Sequence, residues 1–357
     1  MIVGGGIAGA SVGAEIAAQR RCLIVEAEEH CGYHSTGRSA AFWLESYGGP
    51  KVAMLSRASR PFLEMPSADF SERGFLRTRG AVHLGLEESA ALPEGVESRR
   101  IGRQELERLI PGIRPQWHSA ILEPGCADID VASLHAAYLR QFACRGGQIA
   151  TRTTLELAQF REGRWQIDLA GGNRVAAALL VDAAGAWADE VAQRCGVRSL
   201  AIAPKRRTMV QLKIGRGGLK DLPLVDDSAG TFYFKGESDS SIWLTPHDEI
   251  DTDPCDAAPD EIDVATAIDR FEQVVDWKVD RVERSWAGLR SFAPDRLPVY
   301  GFAPEQPAFF WCAGQGGFGI QTAPAAAKLA AAQLLAQEPE AMVAEIDPTI
   351  FSPARFA

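Results

Sequence analysis

The sequence has no Cys-x-x-Cys pair, no excess of basic residues and no apolar run near the roughly 18 residues that a membrane-spanning helix needs. Each absence excludes something. The seven cysteines (Cys22, Cys31, Cys126, Cys144, Cys195, Cys255 and Cys312) are odd in number and scattered through a chain too long to need covalent staples. They read as incidental thiols of a reducing compartment, not as a disulfide framework. The six histidines suggest no ligand set, so no metal is expected. With 47 acidic against 37 basic side chains, the formal charge of −10 works against binding to nucleic acid or to an anionic membrane surface. No basic region precedes the first apolar residues, so a signal peptide is not expected and the expected location is the cytoplasm. Tyrosine is scarce as well, with five in 357 residues, which gives weight to any tyrosine that falls in a motif.

What is present reads as two domains of different character. The first 30 residues follow a strand–turn–helix–strand order, and an apolar strand recurs at Leu179–Ala183 (LLVDA) before Gly185. Alternating strand-like runs occur at Arg164–Ala170, Thr208–Ile214, Thr231–Lys235 and Ser241–Thr245, with one helix near Asp263–Val275 and another over Ala323–Leu335. The expectation is a Rossmann-like α/β domain over 1–72, 130–196 and 295–357, interrupted by an α+β domain on a mainly antiparallel sheet over 73–129 and 197–294.

Met1-Ile2-Val3 runs into Gly4-Gly5-Gly6-Ile7-Ala8-Gly9, a G-x-G-x-x-G turn that opens a helix and is followed by the apolar strand Cys22–Val25. Gly4 permits the tight turn, Gly6 lets a pyrophosphate approach the backbone, and Gly9 lets the helix lie close to the strands. The free N–H groups at the helix start carry partial positive charge toward the phosphates. Glu26 stands at the end of the second strand, about 20 residues on, where a carboxylate accepts from ribose hydroxyls and repels a 2′-phosphate. Three residues before the glycines are fewer than the five or six of an ordinary strand, and a longer segment upstream is expected. The next loop, Gly32–Ala41 (GYHSTGRSAA), holds small residues, hydroxyls and Arg38. A plain nicotinamide domain has no need of such a loop, whereas a flavin dinucleotide must run past it toward the second domain.

These blocks resemble the FAD-dependent D-amino acid oxidase/dehydrogenase superfamily, in its glycine oxidase-like branch, with the D-arginine dehydrogenases as the nearest match. The resemblance continues through Ala127–His135 (ADIDVASLH), Val181–Asp189 (VDAAGAWAD), Pro204–Arg207 (PKRR), Phe232–Lys235, Ser285–Phe292 (SWAGLRSF), Phe310–Thr322 (FWCAGQGGFGIQT) and Ser352–Arg355. It implies noncovalent FAD, since relatives that tether the flavin use a cysteine where this chain has Ala287-Gly288. It implies cofactor contacts at Gly4, Gly6, Ile7, Ala8, Gly9, Glu26, Ala27, Ser35, Thr36, Arg38, Ser39, Ala40, Ala41, Leu155, Ala184, Gly185, Trp187, Gly316, Phe318, Gly319, Ile320 and Gln321. It further implies that Arg290 clamps the carboxylate of an amino-acid substrate with Tyr47 and Tyr233, that Arg207 lies nearby, and that the Gly317 carbonyl meets the substrate amine. Read alone, Pro204–Arg207 is equally a solvated basic turn.

The implied reaction is oxidative deamination, by hydride transfer from Cα to flavin N5, with a dehydrogenase's carrier or quinone favoured over oxygen as acceptor. Gly80 replaces the glutamate that grips a guanidinium in the D-arginine enzymes, and Phe42-Trp43-Leu44 replaces polar residues. A buried cation without a carboxylate costs several kcal/mol, so a neutral or hydrophobic D-amino acid is expected. Glu45 or Asp226 as a substitute carboxylate, or Arg79 favouring an acidic side chain, are the other options. The same clamp suits secondary amines (sarcosine, glycine or opine type) and 2-hydroxy acids. A non-catalytic or RNA-associated flavin module is opposed by the charge and by the absence of a basic, aromatic-laced stripe.

Overall fold

In the computed structural model, which describes residues 1–85 and 95–357, the short apolar run before the glycines forms the two-residue strand Ile2–Val3. It lies inside a six-stranded sheet, parallel to Leu23–Val25 on one side and to Leu180–Asp182 on the other. Gln148–Ala150 extends one flank, and Gln306–Ala313 with the antiparallel Val299–Ala303 extends the other. Strands covered on both faces read as continuous apolar runs, which is why Leu23-Ile24-Val25 and Phe309-Phe310-Trp311 show no polar alternation.

Period-two geometry then sorts these residues between two cores. Ile2, Ile24, Val181 and Phe310 pack against the helices Ile7–Ile16, Val131–Cys144 and Gly319–Leu335. Val3, Val25, Leu180, Phe309 and Trp311 face Trp165, Ile167 and Leu169 of a three-stranded antiparallel sheet, together with the helix Ala188–Arg194.

A nine-stranded, mainly antiparallel sheet stands beside this layered body, with strands drawn from residues 81–123 and 203–292. Its spine is the pairing of Ala203–Ile214 with Val279–Phe292. The helix Glu261–Glu272 covers one face, burying Phe271 against Phe234 and Trp277. The expected helix near Asp263–Val275 is this element, starting two residues and ending three residues earlier, with the Asp260 carboxylate capping it by accepting from the Ile262 N–H. The final helix starts at Gly319 rather than Ala323, so that Pro324 falls inside it.

Candidate active site

A cavity of about 440 Å³ runs between the two sheets. One end is bounded by Gly4, Gly6, Ile7, Ala8, Glu26, Ala27, Leu155, Ala184, Gly185 and Trp187, the other by Arg207, Met209, Tyr233, Arg290, Gly316 and Gly317. The Ser35–Ala41 loop, Gly319, Ile320 and Gln321 line the stretch between.

The glycine turn is shaped by backbone contacts. Gly4 has φ +100, and a Cβ there would lie 2.4 Å from the Ala183 carbonyl oxygen; a Cβ on Gly9 would lie 2.0 Å from the Gly4 carbonyl oxygen. Gly9 therefore lies outside the cavity lining and sets helix against strand. Glu26 lines the cavity, yet one carboxylate oxygen accepts from the Gly5 N–H (2.8 Å) and the other from the Glu28 N–H (3.0 Å).

The hydroxyls of the following loop bind protein. Thr36 Oγ1 accepts from the Ile7 N–H (3.0 Å), Ser35 Oγ donates to the Leu289 carbonyl (2.6 Å), and Ser39 Oγ accepts from the Ala41 N–H (3.1 Å). Arg38 lines the cavity, but its guanidinium is committed to the carbonyls of Ala257 and Ala287 and to Asp256. It clasps the acidic 248–260 loop through Nη1 and Nη2. Gln321 is likewise occupied, accepting from the Leu44 N–H and donating to Leu44 O and Ser56 Oγ. Phe318 does not line the cavity; its ring packs edge-on against Tyr47 and Phe292.

At the other end, strand register brings the arginines together. Arg207 lies opposite Gly288, and Arg290, two residues beyond Gly288, lies opposite Lys205, so both arginines share one face as diagonal neighbours. Arg290 Nη1 donates to Tyr47 Oη (2.8 Å), its sole hydrogen-bond partner among the described residues. Arg207, 4% exposed, donates through Nε to the Asp248 carbonyl (2.6 Å) and through Nη2 to Glu249 (3.3 Å), while its buried Nη1 has no partner among the described residues. It is no solvated turn. Burial, and then Arg290, pull its guanidinium down to about 10. Burial and the two arginines also hold His247 down to about 4 and thus neutral. The end of the cavity is locally electropositive in a protein of charge −10.

Tyr47 stands behind Arg290 and outside the lining, whereas Tyr233 lines the cavity with its hydroxyl 3.4 Å from Met209 Sδ. Phe42 packs edge-on to Tyr233 (5.4 Å) and, with Met209, closes an apolar wall. Met209 was not singled out from the sequence, although it falls two residues after Arg207 on an alternating strand. A Cβ on Gly317 would meet Tyr47 Oη at 2.2 Å and Arg290 Cζ at 3.0 Å. Gly317→Ala is expected to break the Arg290–Tyr47 bond and weaken benzoate binding about tenfold without loss of flavin, by overpacking of a tight contact. A titration with unchanged affinity would show that this pair does not serve the cavity.

Three side chains named as possible substrate partners are occupied elsewhere and lie outside the lining. Arg79, 3% exposed in its side chain, is paired with Asp128 (2.6 Å), Asp226 with His83 (2.7 Å), and Glu45 with Arg57. The His30-to-His34 spacing, passed over in the sequence, sits in a turn where His34 faces Glu28 and Trp187. No cysteine lines the cavity.

A family model described as FAD dependent oxidoreductase (DAO) matches residues 1–333. The chain belongs to this family. Its DAO fold is shared with L-proline dehydrogenase from P. horikoshii, at TM-score 0.84 and 19% identity over 99% of this chain and 96% of that one. Glycine oxidase of Pseudomonas aeruginosa is 26% identical over 268 residues, covering 70% of this chain and 66% of that protein. FAD-dependent oxidoreductase domain-containing protein 1 of Xenopus laevis is 26% identical over 179 residues, 44% of this chain, and the match spans about a third (34%) of the relative's length. The cofactor of the DAO family is FAD, and the glycine cradle at Gly4 and Gly9, the Glu26 carboxylate and a cavity reaching across both sheets fit a dinucleotide of that length. Among the described residues, no helix is long and apolar enough to cross a membrane.

Proposed function

We propose that the protein catalyses oxidative deamination of a D-amino acid with a neutral or apolar side chain, giving an imino acid that water hydrolyses to the 2-oxo acid. One observation carries the reading: Arg290, held by Tyr47, has guanidinium donors without a partner among the described residues, in a cavity wall that Arg207 also lines. Two guanidinium groups on one sheet face suit a single planar carboxylate, and charge-assisted bonds of this kind are among the strongest available to a binding site. Bound FAD would supply the two-electron acceptor for the hydride leaving Cα.

The protein's own contribution is orientation. The arginine pair fixes the carboxylate, Tyr233 and the Gly317 carbonyl border the amine, and Phe42 and Met209 receive the side chain. Among the described residues, no carboxylate lines the side-chain wall near Phe42, Met209 and Tyr233, which favours neutral over cationic substrates. We assign the FAD-binding domain to 1–72, 130–196 and 295–357, and the substrate domain to 73–129 and 197–294. Noncovalent attachment accords with a cavity free of cysteine, and the resemblance to the dehydrogenases favours a carrier or quinone as the electron acceptor.

The test is anaerobic mixing of the flavin-loaded protein with a panel of D- and L-amino acids, glycine, sarcosine and 2-hydroxy acids, followed by bleaching of the yellow flavin band. D-amino acids with apolar side chains are expected to reduce the flavin fastest. D-arginine as the fastest substrate would overturn the side-chain assignment, and bleaching by sarcosine or glycine alone would move the reading to small or secondary amines. Reoxidation by air and by a soluble quinone, compared in the same samples, distinguishes oxidase from dehydrogenase.

A further inference from the structure

Outside the cavity lining, three ionisable side chains form a continuous chain. His83 stands on the strand Ala81–Leu84, with Nδ1 2.7 Å from Asp226 and Nε2 3.3 Å from Glu123. Glu123 is 1% exposed, and its second oxygen accepts from the backbone N–H groups of Glu45 (3.0 Å) and Ser46 (3.4 Å). Those two amides immediately precede Tyr47. At the other end, Asp226 lies directly opposite Tyr233 in the antiparallel pairing of Leu224–Asp227 with Tyr233–Gly236. The carboxylates sit on opposite nitrogens of the ring, so they form a relay of contacts and not a chelating set. Burial pulls the His83 imidazole down, but Asp226 and then Glu123 outweigh it and raise the ring to about 10, so it is a cation at neutral pH.

We propose that Glu123, tied through His83 to Asp226, is the positioning residue of the carboxylate clamp: it fixes the turn that carries Tyr47 relative to the strand that carries Tyr233. The inference rests on the clamp reading of Arg290, Tyr47 and Tyr233 given above. The 44–47 turn is held from two sides, by the Gln321 amide on Leu44 and by Glu123 on the next two N–H groups. Gln321 belongs to the final helix and Glu123 to the large sheet, so the turn is registered against both bodies at once. A carboxylate that accepts two successive N–H groups specifies the peptide's direction as well as its position. Losing it frees the Tyr47 hydroxyl to drift from Arg290, and the tyrosine–arginine geometry that meets a substrate carboxylate is then no longer preorganised.

The experiment compares Glu123→Asp, which keeps the charge beside His83 but withdraws it from the turn, with Glu123→Gln, which keeps an acceptor within reach but loses the charge. Benzoate serves as the probe, with one carboxylate for the arginines and an apolar ring for Phe42 and Met209, and binding to the flavin-loaded protein is followed by the flavin spectrum. E123D is expected to weaken benzoate at least tenfold and to speed hydrogen exchange in the peptide covering residues 44–47, with flavin content unchanged. E123Q is expected to stay within threefold of the unaltered protein in both. Unchanged binding in E123D, or equal weakening in both variants, would overturn the inference. If the unaltered protein binds neither benzoate nor any amino acid, the proposed function fails and takes this inference with it, an outcome distinct from binding that E123D leaves intact.

Discussion

Replacing Arg290 by methionine is expected to lower kcat/KM for the best substrate by about 10²- to 10³-fold, because truncating one side of a buried charged pair costs about 3–4 kcal/mol and each 1.4 kcal/mol is a factor of ten. The side chain is half-buried on the strand Val279–Phe292, and Tyr47 is its one hydrogen-bond partner among the described residues. Its remaining donors have the cavity to serve. The loss should appear both in substrate affinity and in the rate of flavin reduction at saturation, since in the proposed function the same contact binds the carboxylate and aims Cα. Arg290→Lys should fall between, keeping the charge but not the two-pronged geometry. Stopped-flow reduction under nitrogen with flavin content measured in parallel checks this, and an R290M protein within threefold of the unaltered enzyme would remove Arg290 from the site.

The second large effect concerns the cofactor. Gly9→Ala is expected to yield protein with at least tenfold less bound flavin and lower thermal stability. The added Cβ would sit 2.0 Å from the Gly4 carbonyl oxygen, a contact between backbone groups with no flexible side chain to move aside. Helix Ile7–Ile16 must then lift from the sheet or the Gly4 turn must deform, and overpacking of this kind costs about 1–3 kcal/mol. Either movement displaces the N–H groups that would face the pyrophosphate. The ratio of visible flavin absorbance to protein absorbance reports the loss directly, and a G9A protein as yellow as the unaltered one would show that the helix does not need so close an approach.

The difference between these variants marks what could be read from the chain alone. The glycine turn, the paired strands and the final helix are local: each depends on residues within a few positions, so spacing and periodicity expose them. Arg290 and Arg207 could be singled out, but nothing local says that Arg207 is buried opposite Gly288, since that is a matter of register between strands far apart in sequence. The same limit applies to side chains that tertiary contacts commit. Arg38 and Gln321 are the polar types that serve a cofactor, and whether they do depends on Asp256 and Leu44, which only the tertiary fold brings near. Arg79 and Asp226 failed as substrate partners for the same reason. His83 carried no motif at all; its meaning comes from two carboxylates on neighbouring strands.

The strand Ile2–Val3 lies between partners that include Leu180–Asp182, and the helix that follows it packs on Gly319–Leu335, with Lys328 reaching Glu15 across 313 positions of sequence. During synthesis, the glycine turn therefore waits for residues far along the chain before its sheet and covering helix exist. Closing so long a loop is slow and yields its contacts late, which leaves the apolar face of the first helix exposed in the growing chain. A bound FAD that contacts residues from both ends of that wait would add its binding energy to the folded state only once both are in place. Cells short of riboflavin should consequently accumulate less of this protein, through turnover of chains that finish without their cofactor.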